Sequence, residues 1–139
     1  MGEERHARRV VKALDTNVVL RLLVPDDPDQ TRLAEEQMQG PVLLPLTVLL
    51  ETAWVLGSRY GFSRAQIVSI LTHMLDQPQL TAEAVDQLPW ALERYAAGGD
   101  LADMLHLVAA RGADAFVTFD RAIAKSAGPN SPLPVETLA

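Results

Sequence analysis

Short apolar runs that alternate with helical segments are the feature that most constrains the fold of this chain. The run VVKAL at residues 10–14 is short, contains β-branched residues and ends at Asp15, which is typical of a buried strand. The next segment, Thr16–Leu23, has a helical pattern and ends at the turn cluster VPDDPD. Because further apolar runs and helical segments follow in alternation, the sequence predicts an α/β fold around a mainly parallel sheet.

The other predicted elements follow from apolar runs, capping residues and turn residues. Ser63 is predicted to cap one helix, Asp100 another, and Asp27 or Asp29 a third. Pro89 lies within a predicted helix, where proline kinks or breaks the chain. The predicted helices span residues 28–39, 46–60, 64–75, 82–97, 101–112 and 121–126, and the predicted strands span residues 42–44, 79–82, 115–119 and 133–138.

The composition predicts one folded domain in a reducing compartment. The chain has 139 residues, of which 48% are hydrophobic and 22% are charged, as is ordinary for a globular protein. The lack of cysteine excludes disulfides, thiolate catalysis and cysteine zinc sites. The domain is predicted to span residues 10–139, after an N-terminal extension at residues 1–9. Because no apolar run suggests a secretory signal or a membrane span, we expect a cytoplasmic location.

The net charge of −6 bears on nucleic-acid binding, because phosphate chains usually bind basic surfaces. The negative net charge argues less strongly against nucleic-acid binding if four acids hold a metal ion, because the remaining 14 acidic residues nearly balance the 12 basic ones. A basic cluster of Arg5, Arg8, Arg9 and Lys12 is a candidate for phosphate contact, or a solvated tail. The charge therefore leaves nucleic acid open as a partner.

Four acidic residues stand out by their positions. Asp15 and Asp120 directly follow predicted strands, and if those strands are neighbours both carboxylates meet at one edge of the sheet. Glu51 interrupts the apolar segment LTVLLETAWVL and has no obvious local basic partner. Asp103 comes three residues after Asp100, in the first turn of a predicted helix, where the helix dipole favours an anion. Helix capping alone is an alternative explanation for Asp15, Asp100 and Asp120.

A divalent cation would explain these acids together. Carboxylates that converge in one crevice repel each other, and some of them would hold protons. Mg²⁺ and Mn²⁺ prefer oxygen ligands, keep several waters and lower the pKa of a bound water. The sequence therefore predicts a Mg²⁺ or Mn²⁺ site with the chemistry of phosphodiester hydrolysis.

The acidic segments, in this order and at these separations, resemble the PIN-domain ribonucleases. The segments are LDTN near the start, LLETAWVL around Glu51, and LADMLHLVAARGADAFVTFD, which carries Asp103 and ends at Asp120. More narrowly, the chain is similar to the VapC-type toxins of bacterial toxin–antitoxin pairs. The resemblance runs from about residue 11 to residue 135. It implies a three-layer α/β/α sandwich with a mainly parallel central sheet and a metal-dependent ribonuclease that leaves a 5′-phosphate.

The resemblance also implies roles for individual residues. The catalytic and metal-binding acids would be Asp15, Glu51, Asp103 and Asp120, with Asp120 on the same ion, on a second ion or on the attacking water. Supporting residues would be Thr16, Asn17 and Thr118, and Asp100 is an additional acid of this sequence that would assist from outside the ligand set. Candidates for phosphate contact, or for surface solubility alone, are Arg21, Arg121 and Lys125.

The family further implies an RNA substrate, a homodimer and a small antitoxin protein that inserts a segment into the active-site groove. Trp54 and Trp90 are interpreted as core or subunit-contact residues. A housekeeping RNA-processing nuclease with the same site remains an alternative to a toxin. A haloacid dehalogenase-like phosphatase also begins with an acid after the first strand, but it needs a second acid where Asn17 stands. A non-catalytic binding module, in which the acids only cap helices, is the last alternative.

Overall fold

The structure, a computed structural model, describes residues 10–139. The predicted extension at residues 1–9, with Arg5, Arg8 and Arg9 of the basic cluster, lies outside the described residues. The helices are α1 (Thr16–Leu23), α2 (Pro28–Gln37), α3 (Leu46–Ser58), α4 (Arg64–Leu75), α5 (Leu88–Ala96), α6 (Leu101–Ala109) and α7 (Arg121–Ala127). The strands are β1 (Lys12–Ala13), β2 (Val42–Leu44), β3 (Leu80–Ala82), β4 (Phe116–Thr118) and β5 (Val135–Thr137).

The strands pair in parallel and are covered by helices. β1, β2 and β3 form a three-stranded ladder in that order, and β4 and β5 form a two-stranded ladder. Val42 and Leu44 of β2 are fully buried, and Leu43, on the opposite face of the strand, is half-buried. Parallel strands covered in this way are typical of α/β proteins. The chain therefore has the predicted α/β fold, a three-layer α/β/α arrangement with a parallel sheet.

The ladders do not join the strands that precede Asp15 and Asp120. Within the described chain, β1 is paired with β2, and β4 is paired with β5. The condition under which strand pairing alone would bring the two acids together is therefore not met. Helix packing supplies the connection, because α1 contacts α3, α3 contacts α6, and α6 contacts α7.

One hydrophobic core holds these helices against the sheet. It includes Leu49 and Leu56 of α3, Leu71 of α4, and Met104 and Leu107 of α6, each almost completely buried. Leu105 and Leu107 lie on nearly opposite sides of α6 and both are buried, so this helix is covered on both sides, as expected for a segment apolar around most of its circumference. The core therefore fixes α3 and α6, the two helices that carry Glu51 and Asp103.

Helix boundaries follow the capping residues where the sequence supplies them. Ser63 and Gln66 form a reciprocal capping box at the start of α4, and the predicted helix matches Arg64–Leu75. Asp27 accepts a hydrogen bond from the backbone N–H of Gln30 and begins α2. The predictions of Thr16–Leu23 and Val42–Leu44 are likewise confirmed. β1 is shorter than predicted, and Val10 and Val11 are exposed.

The predicted helix at residues 82–97 is wrong in its first half. Ala82 belongs to β3, a 3₁₀ turn spans Val85–Gln87, and α5 begins only at Leu88. Pro89 lies in the first turn of α5, where its missing N–H would have had no helical partner, so it starts a helix rather than breaking one. Pairing of β3 with β2 overrides the local helical pattern, and this long-range interaction is not visible in the segment itself.

Within residues 10–139, the structure contains no helix with both the length and the hydrophobicity needed to cross a bilayer.

Replacement of Leu44 by alanine tests the core. Leu44 is completely buried in β2, so Leu44→Ala should lower the free energy of unfolding by about 2–5 kcal/mol, as for other core leucines. Leu33, which is 52% exposed on α2, is the matched control, and Leu33→Ala should change that free energy by less than about 0.5 kcal/mol. Urea unfolding of both variants measures the difference, and equal losses would contradict this description of the core.

Candidate active site

The first part of the candidate site lies where α1 and α3 meet. Asp15 caps α1, and its Oδ1 accepts a hydrogen bond from the backbone N–H of Thr16 at 2.8 Å. The hydroxyl of Thr16, a buried residue, donates to Oε1 of Glu51 on α3 at 2.5 Å. A hydroxyl donating to a carboxylate makes a short, charge-assisted bond. The residue beside the first acid therefore fixes the position of the second one.

Glu51 is more open to solvent than its apolar sequence context indicates. Glu51 is exposed on α3, and so are Thr47 and Trp54, its neighbours one helical turn away on each side. The apolar residues of the same segment, including Leu49 and Leu56, point into the core instead. The carboxylate is therefore accessible to a ligand while its helix is anchored.

The second part of the site lies at the N-terminal ends of α6 and α7. Oδ1 of Asp100 accepts a hydrogen bond from the backbone N–H of Asp103 at 3.0 Å and caps α6. Oδ1 of Asp120 accepts one from the N–H of Ala122 at 2.8 Å and caps α7. The backbone N–H of Asp120 donates to Oγ1 of Thr118 at 2.9 Å. Capping thus engages one oxygen of each acid and fixes its direction.

Asp103 is the acid whose electrostatic environment departs most clearly from that of a free carboxyl. Burial raises the pKa of Asp103, and the negative charges of Asp100 and Asp120 raise it further, while His106 acts in the opposite direction. Asp100 and Asp120 are therefore close enough to Asp103 to repel it. The contact of α6 with α7 accompanies this proximity of Asp103 and Asp120.

An open cavity lies between α3 and the first turn of α6. Glu51 and Ala102 line this cavity of about 460 Å³, together with Thr47, Leu50 and Trp54. Ala102 directly precedes Asp103 in the first turn of α6. The cavity therefore reaches from Glu51 to the turn that carries Asp103, while Asp15, Asp103 and Asp120 are not among the residues that line it.

The acids of the described residues do not form a closed metal cage. Among residues 10–139, no group of three or more histidine, cysteine, aspartate or glutamate side chains is arranged to hold a metal ion. Mg²⁺ retains several waters and usually takes only one or two protein carboxylates directly, so the remaining acids would act through water. Oxygen donors and mutual repulsion at Asp103 are the conditions that favour such an ion.

Ion pairs do not account for these acids within the described part of the chain. The pairs found there are Arg21 with Asp26 and Arg32 with Glu36, both outside the cleft. Arg21, a predicted phosphate contact, is thus occupied by Asp26. Arg121 and Lys125 on α7 are exposed, and Asn17 is exposed at the start of α1.

Sequence reasoning missed Arg64 of α4, which forms hydrogen bonds with the chain that precedes α6. One nitrogen of its guanidinium, Nη1, donates to the carbonyl oxygens of Tyr95 at 2.7 Å and Gly99 at 2.6 Å. The guanidinium also lies 4.5 Å from the centre of the Tyr95 ring. Gly99 has no room for a side chain, since a Cβ atom would lie 2.9 Å from the carbonyl oxygen of Arg94. No local pattern around Arg64 indicates these contacts, because their partners are distant in sequence.

Trp54 is not a core residue, as one of its two interpretations held. Its side chain is 68% exposed and lines the same cavity as Glu51. The spacing of three residues from Glu51 was the available signal, because residues at that spacing share a helix face.

A comparison with models of protein families identifies the family of this chain. A family model described as PIN domain matches residues 12–129, most of the chain. The chain therefore belongs to the PIN domain family, whose members are generally nucleases that act on nucleic acids and typically use divalent metals. Comparisons with curated proteins and with solved structures found no match.

Replacement of Thr16 tests the connection between α1 and α3. Thr16→Val keeps the shape but removes the donor to Glu51, and should lower the free energy of unfolding by about 1–3 kcal/mol, the worth of a hydrogen bond to a charged group. Thr16→Ser keeps the hydroxyl and should retain the hydrogen bond. Urea unfolding compares the two variants, and a serine variant that loses as much as the valine variant would contradict the role of the hydroxyl.

Replacement of Asp103 tests the repulsion. A carboxyl with a raised pKa in the folded state binds protons more readily there than in the unfolded chain, so its ionisation costs stability above that pKa. In metal-free buffer at pH 7, Asp103→Asn should therefore raise the melting temperature, and the difference should shrink as the pH falls through the raised pKa. Asp114→Asn, in an exposed turn, is the control and should leave the melting temperature unchanged. A lower melting temperature for Asp103→Asn at pH 7 would contradict the repulsion.

Proposed function

We propose that this protein is an endoribonuclease that hydrolyses RNA phosphodiester bonds with Mg²⁺ or Mn²⁺. The observation that carries the proposal is the negative charge gathered at the start of α6, where Asp100 and Asp120 raise the pKa of Asp103. The exposed Glu51 lines a cavity that reaches Ala102 in the same turn of α6. Membership of the PIN domain family supports the same class of reaction.

The residues that would hold the ion are Asp15, Glu51, Asp103 and Asp120, directly or through water. When bound, the ion lowers the pKa of a water and offsets negative charge on the phosphoryl and leaving oxygens. Thr16 orients Glu51 by its hydrogen bond, and the caps at Asp100 and Asp120 hold the acidic ends of α6 and α7 in place. Thr118 holds the turn at the start of α7 by accepting a hydrogen bond from the backbone N–H of Asp120.

Phosphate contacts are proposed for Arg121 and Lys125, which are exposed on α7 beside Asp120. Arg21 is a weaker candidate for this role because Asp26 already engages its guanidinium. Asn17 is proposed to assist beside Asp15, where it is exposed.

The sequence similarity to VapC-type toxins favours a toxin, with a homodimer and an antitoxin that occupies the cleft, in the cytoplasm. A housekeeping RNA-processing nuclease would use the same residues. A neighbouring small gene that encodes an antitoxin would favour the toxin, and its absence would favour the housekeeping enzyme.

A non-catalytic module is the second candidate, because Asp15, Asp100 and Asp120 all act as helix caps. Capping uses one oxygen of each carboxylate and needs no cation. Calorimetric titration with Mg²⁺ distinguishes the two functions, since acids that only cap should not bind the ion together. A phosphatase of the haloacid dehalogenase type is less well supported, because Asn17 stands where that chemistry needs an acid.

Replacement of the acids tests the nuclease. Asp15→Asn and Asp103→Asn should each lower metal-dependent cleavage of single-stranded RNA by more than the roughly 10- to 100-fold typical for loss of a residue that only supports a metal ligand. Both variants should stay folded, because Asp15→Asn keeps a capping oxygen at α1 and the cap of α6 is the side chain of Asp100, which is unchanged in Asp103→Asn. Asp114→Asn, in an exposed turn, is the control and should cleave normally. Unchanged cleavage in both variants, with contaminating nuclease excluded, would eliminate the assignment.

Metal addition gives an independent test. Because the ion binds only the folded site, saturating Mn²⁺ should raise the melting temperature of the protein. The rise should be absent in Asp103→Asn and retained in Asp114→Asn. An equal rise in all three proteins would place the ion elsewhere.

A further inference from the structure

Trp54 is exposed in a place where large apolar side chains are otherwise buried. Its indole is 68% exposed, although most apolar residues of α3 are buried or half-buried. It lies three residues after Glu51, which is a little under one helical turn, or about 4.5 Å along the helix axis. An aromatic ring is therefore presented beside the candidate catalytic carboxylate and not toward the core.

Two cavities meet at this ring. The first is the cleft of about 460 Å³ that Trp54 shares with Glu51 and Ala102. The second, of about 290 Å³, extends from Trp54 past Ser58 to Arg64 and Tyr95. Trp54 therefore forms the wall shared by the candidate active site and a small adjoining groove.

The surroundings of Trp54 suit a single flat ring better than a protein surface. A stable protein interface buries about 800 Å² on each partner around an apolar centre. Among the exposed large hydrophobic residues of the described chain, Trp54 is the one that belongs to α3 or α6. The exposed residues Thr47, Glu51 and Ser58 flank it along α3, and Leu50 and Ala102 line both cavities beside it. A single exposed aromatic ring beside small apolar surface is an arrangement that single-stranded nucleic-acid binding uses, because every base has a face that stacks on an aromatic ring.

Arg64 adds a positive charge to the groove without competing for the indole. Its guanidinium stacks on the ring of Tyr95 and donates to the carbonyl oxygens of Tyr95 and Gly99. These hydrogen-bond partners are neutral, and Arg64 lines the second cavity together with the acid Asp100. The ring of Tyr95 is thereby covered by Arg64, while the ring of Trp54 stays open.

We propose that Trp54 is a stacking platform for one base of single-stranded RNA, next to the phosphate that is cleaved. This inference rests on the proposed ribonuclease function and names the part of the substrate that the site would recognise. Stacking is tolerant of base identity, so the platform would position an unpaired nucleotide rather than read a sequence. Double-stranded RNA, whose bases are already stacked and paired, would be a poor substrate.

The experiment measures RNA binding and Trp54 fluorescence together. The probe is a short single-stranded RNA, compared with versions of the same length that carry one abasic nucleotide at successive positions. Binding is measured with Mg²⁺ in the Asp103→Asn background, so that the RNA is not cut. Trp54→Ala should weaken binding of the intact RNA by about 5- to 150-fold, the range found for loss of one stacked base. Trp54→Phe, which keeps a ring, should lose less.

The abasic series locates the effect. If Trp54 stacks on one base, removal of that base should weaken binding to the Asp103→Asn protein as much as Trp54→Ala weakens binding of the intact RNA. With the RNA that lacks this base, adding Trp54→Ala to Asp103→Asn should weaken binding no further. The intact RNA should also quench a tryptophan signal that is missing from the Trp54→Phe protein, in which Trp90 remains. Equal losses on intact and on every abasic RNA would overturn base stacking.

Three controls separate the possible failures. Val85→Ala, at an exposed residue outside both cavities, should bind RNA normally. A change of molecular mass in Trp54→Ala by light scattering, without a base-dependent loss, would assign Trp54 to an interface between copies and overturn the proposal. Wild-type cleavage with no effect at Trp54 would overturn the platform and leave the nuclease standing. Base-dependent binding without any wild-type cleavage would support the platform and refute the nuclease.

Discussion

The candidate site depends on carboxylates that repel each other because the fold holds them at the starts of helices. The caps at Asp100 and Asp120 give these acids fixed directions, and their negative charges, after burial, raise the pKa of Asp103. The helix dipole of α6 offsets part of this repulsion, since it favours an anion in the first turn. The remaining repulsion lowers the stability of the folded protein, and a divalent cation is the ligand that would relieve this repulsion.

The core opposes this repulsion by anchoring the elements that carry the acids. α3 and α6 are buried through Leu56 and Met104, among others, so Glu51 and Asp103 are displayed from rigid helices. Arg64 of α4 donates a hydrogen bond to the carbonyl oxygen of Gly99, just before α6, and so restricts movement of the N-terminal end of α6. Repulsion among the acids lowers the stability of the protein, and the packing of α3 and α6 together with the hydrogen bonds of Arg64 offsets this loss. Such a trade-off between stability and function is common at functional sites.

Local signals in the sequence were sufficient for elements that carry their own caps and apolar runs. Thr16–Leu23 and Arg64–Leu75 could be predicted because Asp15 and Ser63 mark their starts. The stretch before Leu88 could not, because pairing of β3 with β2 decides its structure. Of the site, the positions of Asp15, Glu51, Asp103 and Asp120 were readable as acids in unusual places. The hydrogen bond from Thr16 to Glu51 and the contacts of Arg64 were not, since they join residues more than 30 positions apart.

The central claim is that one divalent ion, with its waters, satisfies these acids in a single cleft. Anomalous scattering from a crystal of the protein soaked in Mn²⁺ tests it most directly. We expect a peak between the start of α6 and Glu51, with at least one carboxylate oxygen among Asp15, Glu51, Asp103 and Asp120 bound to the ion. A crystal with accessible clefts and no peak there, or with manganese bound only at other acids, would contradict the account.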